Sequence, residues 1–152
     1  MKKKTEKKIQ HGTVELATFY VSDALCGMDI LNVQEINKPI DMTSVPQAPD
    51  YVMGIINLRG QIVTVIDLAK KLGLATTELT ESCRNIIVNS GNEHVGLMVA
   101  KIGDVVAADW GKVEAPPANI SGLQGAYFTG VFKTENSLIG ILDADRVLVD
   151  DI

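Results

Sequence analysis

The sequence predicts an all-β protein, mainly strand with a few short helices, arranged as two small barrels packed together. Three observations predict it: short runs that alternate in polarity, an internal duplication, and the lack of any long amphipathic helical stretch. A unit of about 60 residues buries only about 60% of its unfolded surface and is marginal alone. Two halves of a 152-residue chain must therefore share a core. A composition of 46% hydrophobic and 22% charged residues belongs to folded chains, not disordered ones.

The elements follow in order. Residues 1–8, MKKKTEKK, open a flexible basic tail that is expected to run over 1–12 and is given no function. In VELATFYV, Val14, Leu16, Thr18 and Tyr20 alternate with Glu15, Ala17, Phe19 and Val21, a strand pattern. Ser22 and Asp23 make a turn into a second strand, ALCGMDI. Pro46 and Pro49 in VPQAPDYVMG demand an extended loop that no central strand accommodates. GIINLRGQIVTVIDL, residues 54–68, then reads as a hairpin, and DLAKKLGL (67–74) as a helix of one or two turns. RNIIVNSGNEHVGLMVAKI repeats the opening hairpin, with NSGNE supplying residues that tolerate positive φ. The Pro116–Pro117 loop and the short helix ADRVLVDDI (144–152) complete the chain.

The duplication ties these elements together. YVMGIINLRGQIVTVID (51–67) aligns without a gap to YFTGVFKTENSLIGILD (127–143), pairing Tyr51 with Tyr127, Gly54 with Gly130 and Asp67 with Asp143. CGMDILNVQEI (26–36) aligns with VGLMVAKIGDV (95–105), pairing Gly27 with Gly96, Glu35 with Asp104 and Ile36 with Val105. The second copy holds about seven extra residues between these blocks, where WGKVEAPPANISG lies. The copies are expected at approximately 14–74 and 84–150, inside one domain over 13–152.

Charge and motif content exclude several classes. From residue 9 onward nine basic residues face eighteen acidic ones, a balance of about −9 that is a poor match to nucleic acid. No apolar run approaches the roughly 20 residues that span a bilayer, and no signal-peptide core follows the tail, so a cytoplasmic protein without membrane insertion is expected. Cys26 and Cys83 read as small core thiols, and His11 and His94 have no partner at metal-ligand spacing. Asp67 and Asp143 end equivalent strands and read as helix caps, not a catalytic pair. With no nucleophile–base pair and no phosphate or dinucleotide motif, no catalytic residue, cofactor or metal is expected, and a binding module is.

One residue stands apart. Arg59 interrupts an apolar hairpin directly before Gly60, and its counterpart in the second copy is Glu135. A solvated turn arginine would explain its polarity, but the flanking apolar runs give it the surroundings of an interface arginine.

MDILNVQEI, VPQAPDYVMGIINLRGQIVTVIDL and YFTGVFKTENSLIGILDADRVL together resemble the CheW family of bacterial chemotaxis coupling proteins, over about residues 14–150. Thr64 departs from the family's usual proline and Ala69 from its common arginine, which puts in doubt any contact those side chains usually make. The resemblance implies two five-stranded, SH3-like β-barrels around a shared core. It further implies an adaptor that links the cytoplasmic tip of chemoreceptors to the regulatory domain of the histidine kinase CheA, with other CheW copies in arrays as further partners. Recruitment from the cytoplasm to membrane-associated receptor arrays is part of the same implication. Carried over residue by residue, the receptor-binding groove between the barrels would involve Val33, Glu35, Ile36, Gly54, Asn57, Leu58, Arg59 and Gly60, with Arg59 paired to Glu35.

Two rival functions follow from the same residues: a CheW-like adaptor of another chemosensory route such as twitching motility, and a small β-barrel enzyme or ligand-binding protein. A buried polar cavity would favour the second, and an exposed apolar groove the adaptor. A CheW-like domain cut from a larger protein with a receiver is not expected, because the chain starts at Met1 and ends just past the last predicted element.

Overall fold

The computed structural model describes residues 12–120 and 122–148, so most of the basic tail and the end of the last predicted helix lie outside the described residues. Twelve strands and two short helices are found there: β1 (Thr13–Val21), β2 (Ala24–Asp29), β3 (Val33–Asn37), β4 (Val52–Leu58), β5 (Gln61–Asp67), α1 (Leu68–Lys71), β6 (Arg84–Ser90), β7 (Glu93–Val99), β8 (Lys101–Asp109), β9 (Asn119–Ile120), β10 (Leu123–Gln124), β11 (Phe128–Lys133), β12 (Leu138–Leu142) and α2 (Ala144–Leu148). The mainly-β expectation and the three hairpins hold. The β9–β10 ribbon was not foreseen; it lies at the end of the second copy's extra residues, in segments of two residues each, too short to show a period.

Two five-stranded sheets carry the fold, ordered β11-β12-β2-β1-β8 and β3-β6-β7-β5-β4. The orders become the same when β1 is matched to β6, β2 to β7, β3 to β8, β4 to β11 and β5 to β12. The ladders agree residue by residue. Leu16 pairs with Asp29 as Asn85 pairs with Met98, and Ile141 pairs with Gly27 as Val65 pairs with Gly96. Each sheet therefore takes two strands from one copy and three from the other. The copies expected at 14–74 and 84–150 are units of sequence and not units of sheet. The reason is local: Ala100 alone separates β7 from β8, and one residue cannot close a hairpin, so β8 continues into the other sheet. Residues Ile30–Asn32, a 3-10 turn capped by the Asp29 side chain, make the same transfer from β2 to β3.

Three apolar clusters result. One joins the two sheets, with Phe19, Val21 and Phe128 from the first packed with Ile66, Ile86, Val88 and Leu97 from the second. The others fill the concave side of each sheet: Val14, Leu16, Ala108, Ile139 and Ile141 in the first, and Ile56, Val63, Val65, Ile87 and Met98 in the second. Central strands are thus covered on both faces, which explains runs such as IIV without polar alternation.

The outermost strands of each sheet approach one another across a seam without a continuous ladder. In the second sheet Thr43 exchanges two backbone hydrogen bonds with Ile55, both 2.9 Å; in the first Glu114 does the same with Val131, at 2.9 and 2.8 Å. The crossing chain passes so near β4 and β11 that a Cβ on Gly54 would fall 2.7 Å from the Thr43 carbonyl oxygen, and one on Gly130 2.7 Å from that of Glu114. Asp67 and Asp143 also behave alike: their N–H groups bond to Tyr51 and Tyr127 and their carboxylates cap α1 and α2. Asp67 further holds the loop between α1 and β6 through the Thr77 N–H, 2.8 Å, and hydroxyl, 2.6 Å.

Gly54→Ala and Gly130→Ala are each expected to cost about 1–3 kcal/mol, the range of overpacking against a fixed neighbour. Chemical denaturation of the purified variants checks this, and an unchanged midpoint for both would show that the seams are not closed as described.

Candidate functional site

The site begins with the β4–β5 turn. Leu58 and Gln61 close it, with Arg59 at φ 51° and Gly60 at φ 86°, the two positive angles that a type I′ turn requires. Glycine suits its position. An arginine in the left-handed region costs about 1–2 kcal/mol, so the turn alone would favour Asn or Gly there. Asn57 braces the corner by accepting the Gly60 N–H at 2.9 Å.

From this corner the Arg59 guanidinium reaches across the seam and its Nη2 donates to Glu35 Oε1 on β3. The other carboxylate oxygen, Oε2, accepts from Asn37 Nδ2 at 3.0 Å. The hydrogen bond from Arg59 and then that from Asn37 hold the Glu35 carboxyl below its ordinary value of 4.5, against a smaller opposing effect of desolvation. The Arg59 side chain is 71% exposed and that of Glu35 28%. The pair is therefore anchored on its acidic side and open to a partner on its basic side. It stands at the mouth of the second sheet, where β3 and β4 have no ladder between them.

The eight residues expected in one groove occupy several settings. Glu35, Asn57, Arg59 and Gly60 come together as described, and Leu58 packs beneath them on the second sheet's inner cluster. Gly54 is buried and serves the Thr43 crossing. Val33 is half-buried against the cluster between the sheets, and Ile36 is 40% exposed. Their ladder partners, Val88 and Ile86, face the core between the sheets, whereas the partner of Glu35, Ile87, faces the concave side. Asn37 was missed, because an Asn at a strand end reads as a turn former. Of the two departures from the family pattern, Ala69 is buried in the cluster between the sheets and Thr64 is half-buried in β5.

Exposed apolar residues repeat with the duplication. Ile36 and Val105 are equivalent and both exposed, as are Ile62 and Leu138. Leu31, Ile40 and Val45 add to the exposed apolar surface along the chain around β3.

Catalytic chemistry finds little to work with. Burial pushes the Cys26 thiol up to about 12, and Cys83 is buried among the Thr80 N–H and the Glu78 carbonyl. Among the described residues no group of three His, Cys, Asp or Glu side chains gathers as a metal site. A depression of about 500 Å³ lies over Thr18, Tyr20 and Lys101 of the first sheet and Ser137 of the β11–β12 turn, open to solvent.

Fold and site together define a two-barrel protein with a charged pair mounted at the mouth of one barrel. The chain belongs to the CheW family: the family model for the CheW-like domain matches residues 15–151. It is 34% identical over 137 residues to the chemotaxis protein CheW of Treponema pallidum, covering 88% of this chain and 81% of that one. With the chemotaxis protein CheW of Bacillus subtilis it shares 32% identity over 134 residues, covering 88% and 86%. The crystal structure of the scaffolding protein TtCheW from Thermoanaerobacter tengcongensis superposes with a TM-score of 0.83 at 30% identity, covering 94% of this chain and 92% of that one. Membership makes this a chemotaxis scaffold and not an enzyme, as expected from the missing catalytic motifs.

Because the Glu35 carboxyl is depressed in the folded state, its stabilising effect is complete above the unfolded value and is lost as pH falls through the folded one. The stability difference between wild type and Glu35→Gln is therefore expected to be constant above about pH 5.5, one unit clear of the ordinary value, and to vanish in stronger acid. Thermal melts across pH 3–8 read this, and a difference that grows on acidification would contradict the assignment.

Proposed function

We propose that the protein is a non-enzymatic adaptor that couples chemoreceptors to the histidine kinase CheA, with Arg59 as a principal contact of its receptor-facing surface. The observation that carries this is Arg59 itself: a residue in an unfavourable backbone conformation, fixed by Glu35 at one end and exposed over most of its side chain. Arginine held in this way offers a partner the N–H donors that Glu35 leaves free, in a guanidinium already oriented, the property that makes it common among residues dominating interfaces. The exposed apolar residues on the adjoining strands, Ile36 on β3 and Ile62 on β5, suit the apolar face of a receptor helix. The eight-residue set Val33, Glu35, Ile36, Gly54, Asn57, Leu58, Arg59 and Gly60 is proposed as this surface in two roles, with Gly54 shaping it from within and the others lining or bracing it.

The regulatory domain of CheA and further CheW copies are proposed partners for the apolar positions repeated on the other sheet, Val105 and Leu138. No helix among the described residues is long and apolar enough to cross a membrane, so association with receptor membranes would run through these protein contacts.

Co-sedimentation with receptor-containing membranes, with and without CheA, tests the proposal. Wild-type protein is expected to pellet with receptors and to raise kinase phosphorylation. Arg59→Ala is expected to bind receptors at least about tenfold more weakly, the scale of a dominant interface residue. Arg59→Gly, which relieves the turn, is expected to fold at least as well as Arg59→Ala and to bind as poorly. Receptor binding unchanged in both folded variants would refute the role given to Arg59.

A further inference from the structure

Opposite Asn37 in the β3–β6 ladder stands Asn85. It is 1% exposed, and its amide lies over Gly96, where any side chain on that glycine would collide with it. The carbonyl oxygens of Asn37 and Asn85 are both buried and accept no hydrogen bond. Two unsatisfied acceptors on one ladder pair are costly, and native interiors rarely keep them.

The duplication shows that the fold does not require them. The equivalent ladder pair in the first sheet is Leu16 with Val106, and both belong to its apolar cluster. Of the neighbouring positions, Glu35 keeps a carboxylate in Asp104, while Glu135 stands for Arg59. One backbone arrangement is thus filled with a leucine–valine pair in one barrel and an asparagine–asparagine pair in the other. Only the second lies next to an arginine–carboxylate pair.

An amide is nearly the same shape on its oxygen and nitrogen sides, so a half-turn about χ2 exchanges donor for acceptor without moving its neighbours. Turned in this way, Asn85 would carry its Nδ2 where its unpartnered Oδ1 now lies, at the ladder position opposite Asn37, whose own carbonyl oxygen needs a donor. Asn37 then keeps its donation to Glu35 Oε2, and Glu35 keeps its other oxygen for Arg59.

We infer that Asn85 and Asn37 are positioning residues, forming a relay from inside the second barrel that orients the Glu35 carboxylate and, through it, the exposed Arg59 guanidinium. This deepens the proposal for Arg59 and rests on it only for the consequence in binding. The relay itself is a property of the free protein.

The test replaces the asparagines by their counterparts from the other barrel, Asn37→Val and Asn85→Leu, singly and together. The Glu35 titration is followed by carboxyl NMR in the absence of any partner. Asn37→Val is expected to raise the Glu35 titration midpoint towards its ordinary value, and Asn85→Leu to raise it by a smaller amount. Asn85→Leu added to Asn37→Val is expected to shift it no further, because Asn85 acts through Asn37. The double variant is expected to melt no lower than wild type while binding receptor membranes at least about threefold more weakly, a modest loss beside that for Arg59→Ala. An Asn85→Leu protein whose Glu35 titrates as in wild type would overturn the relay, as would equal shifts from Asn85→Leu with and without Asn37. If leucine proves too bulky over Gly96 and the protein does not fold, Asn85→Ala is read in the same way. Normal receptor binding by Arg59→Ala would defeat the functional proposal and leave the titration result standing.

Discussion

Closing a five-stranded sheet on itself without a complete ladder is the constraint on which the rest of this structure depends. In each sheet two outermost strands face one another across a seam: β3 with β4 and β8 with β11. Each seam is crossed by a single two-bond bridge, Thr43 with Ile55 or Glu114 with Val131, and each crossing needs a glycine beneath it. Side-chain ion pairs complete the closure. Lys133 and Glu114 are 3.8 Å apart and exposed in the first barrel, where such a pair contributes little, while Arg59 and Glu35 span the second. Since each sheet borrows strands from both sequence copies, neither barrel forms without the other, and the cluster between them is common property.

Duplication turns this constraint into information about function. Where both copies hold the same residue type, as at Gly54 and Gly130 or Asp67 and Asp143, the fold accounts for it. Where they differ, the shared backbone does not. Arg59, Asn37 and Asn85 against Glu135, Val106 and Leu16 is a concentrated difference around a carboxylate that both copies keep, and it lies at one barrel mouth. A charged pair on a strained turn, backed by buried amides, is a poor way to stabilise a β-barrel and a good way to hold a guanidinium still.

Much of this was legible in the sequence because it is local. The hairpins, the two aspartate caps and the Arg59–Glu35 pairing show themselves in turn residues, strand periods and a motif resembling the CheW family. The exchange of strands between sheets was not legible, since a one-residue link at Ala100 leaves an unbroken run, VGLMVAKI, that reads as one strand. Asn37 was hidden in a similar way. Its role comes from a partner two residues back and another 48 residues on, and only the ladder joins them. Gly54 was legible only as one residue of the expected groove; its burial under the Thr43 crossing shows in the folded chain alone.

On the function proposed, Glu35 holds Arg59 for a partner and their pairing is more than a staple across the seam. Exchanging the two residues, Arg59→Glu with Glu35→Arg, tests it most directly when receptor binding and melting temperature are measured on one preparation. The exchange is expected to restore most of the stability lost in either single variant and to leave receptor binding lost, because the exposed end of the pair now carries the wrong charge. Recovery of both would show that the pair serves the barrel alone.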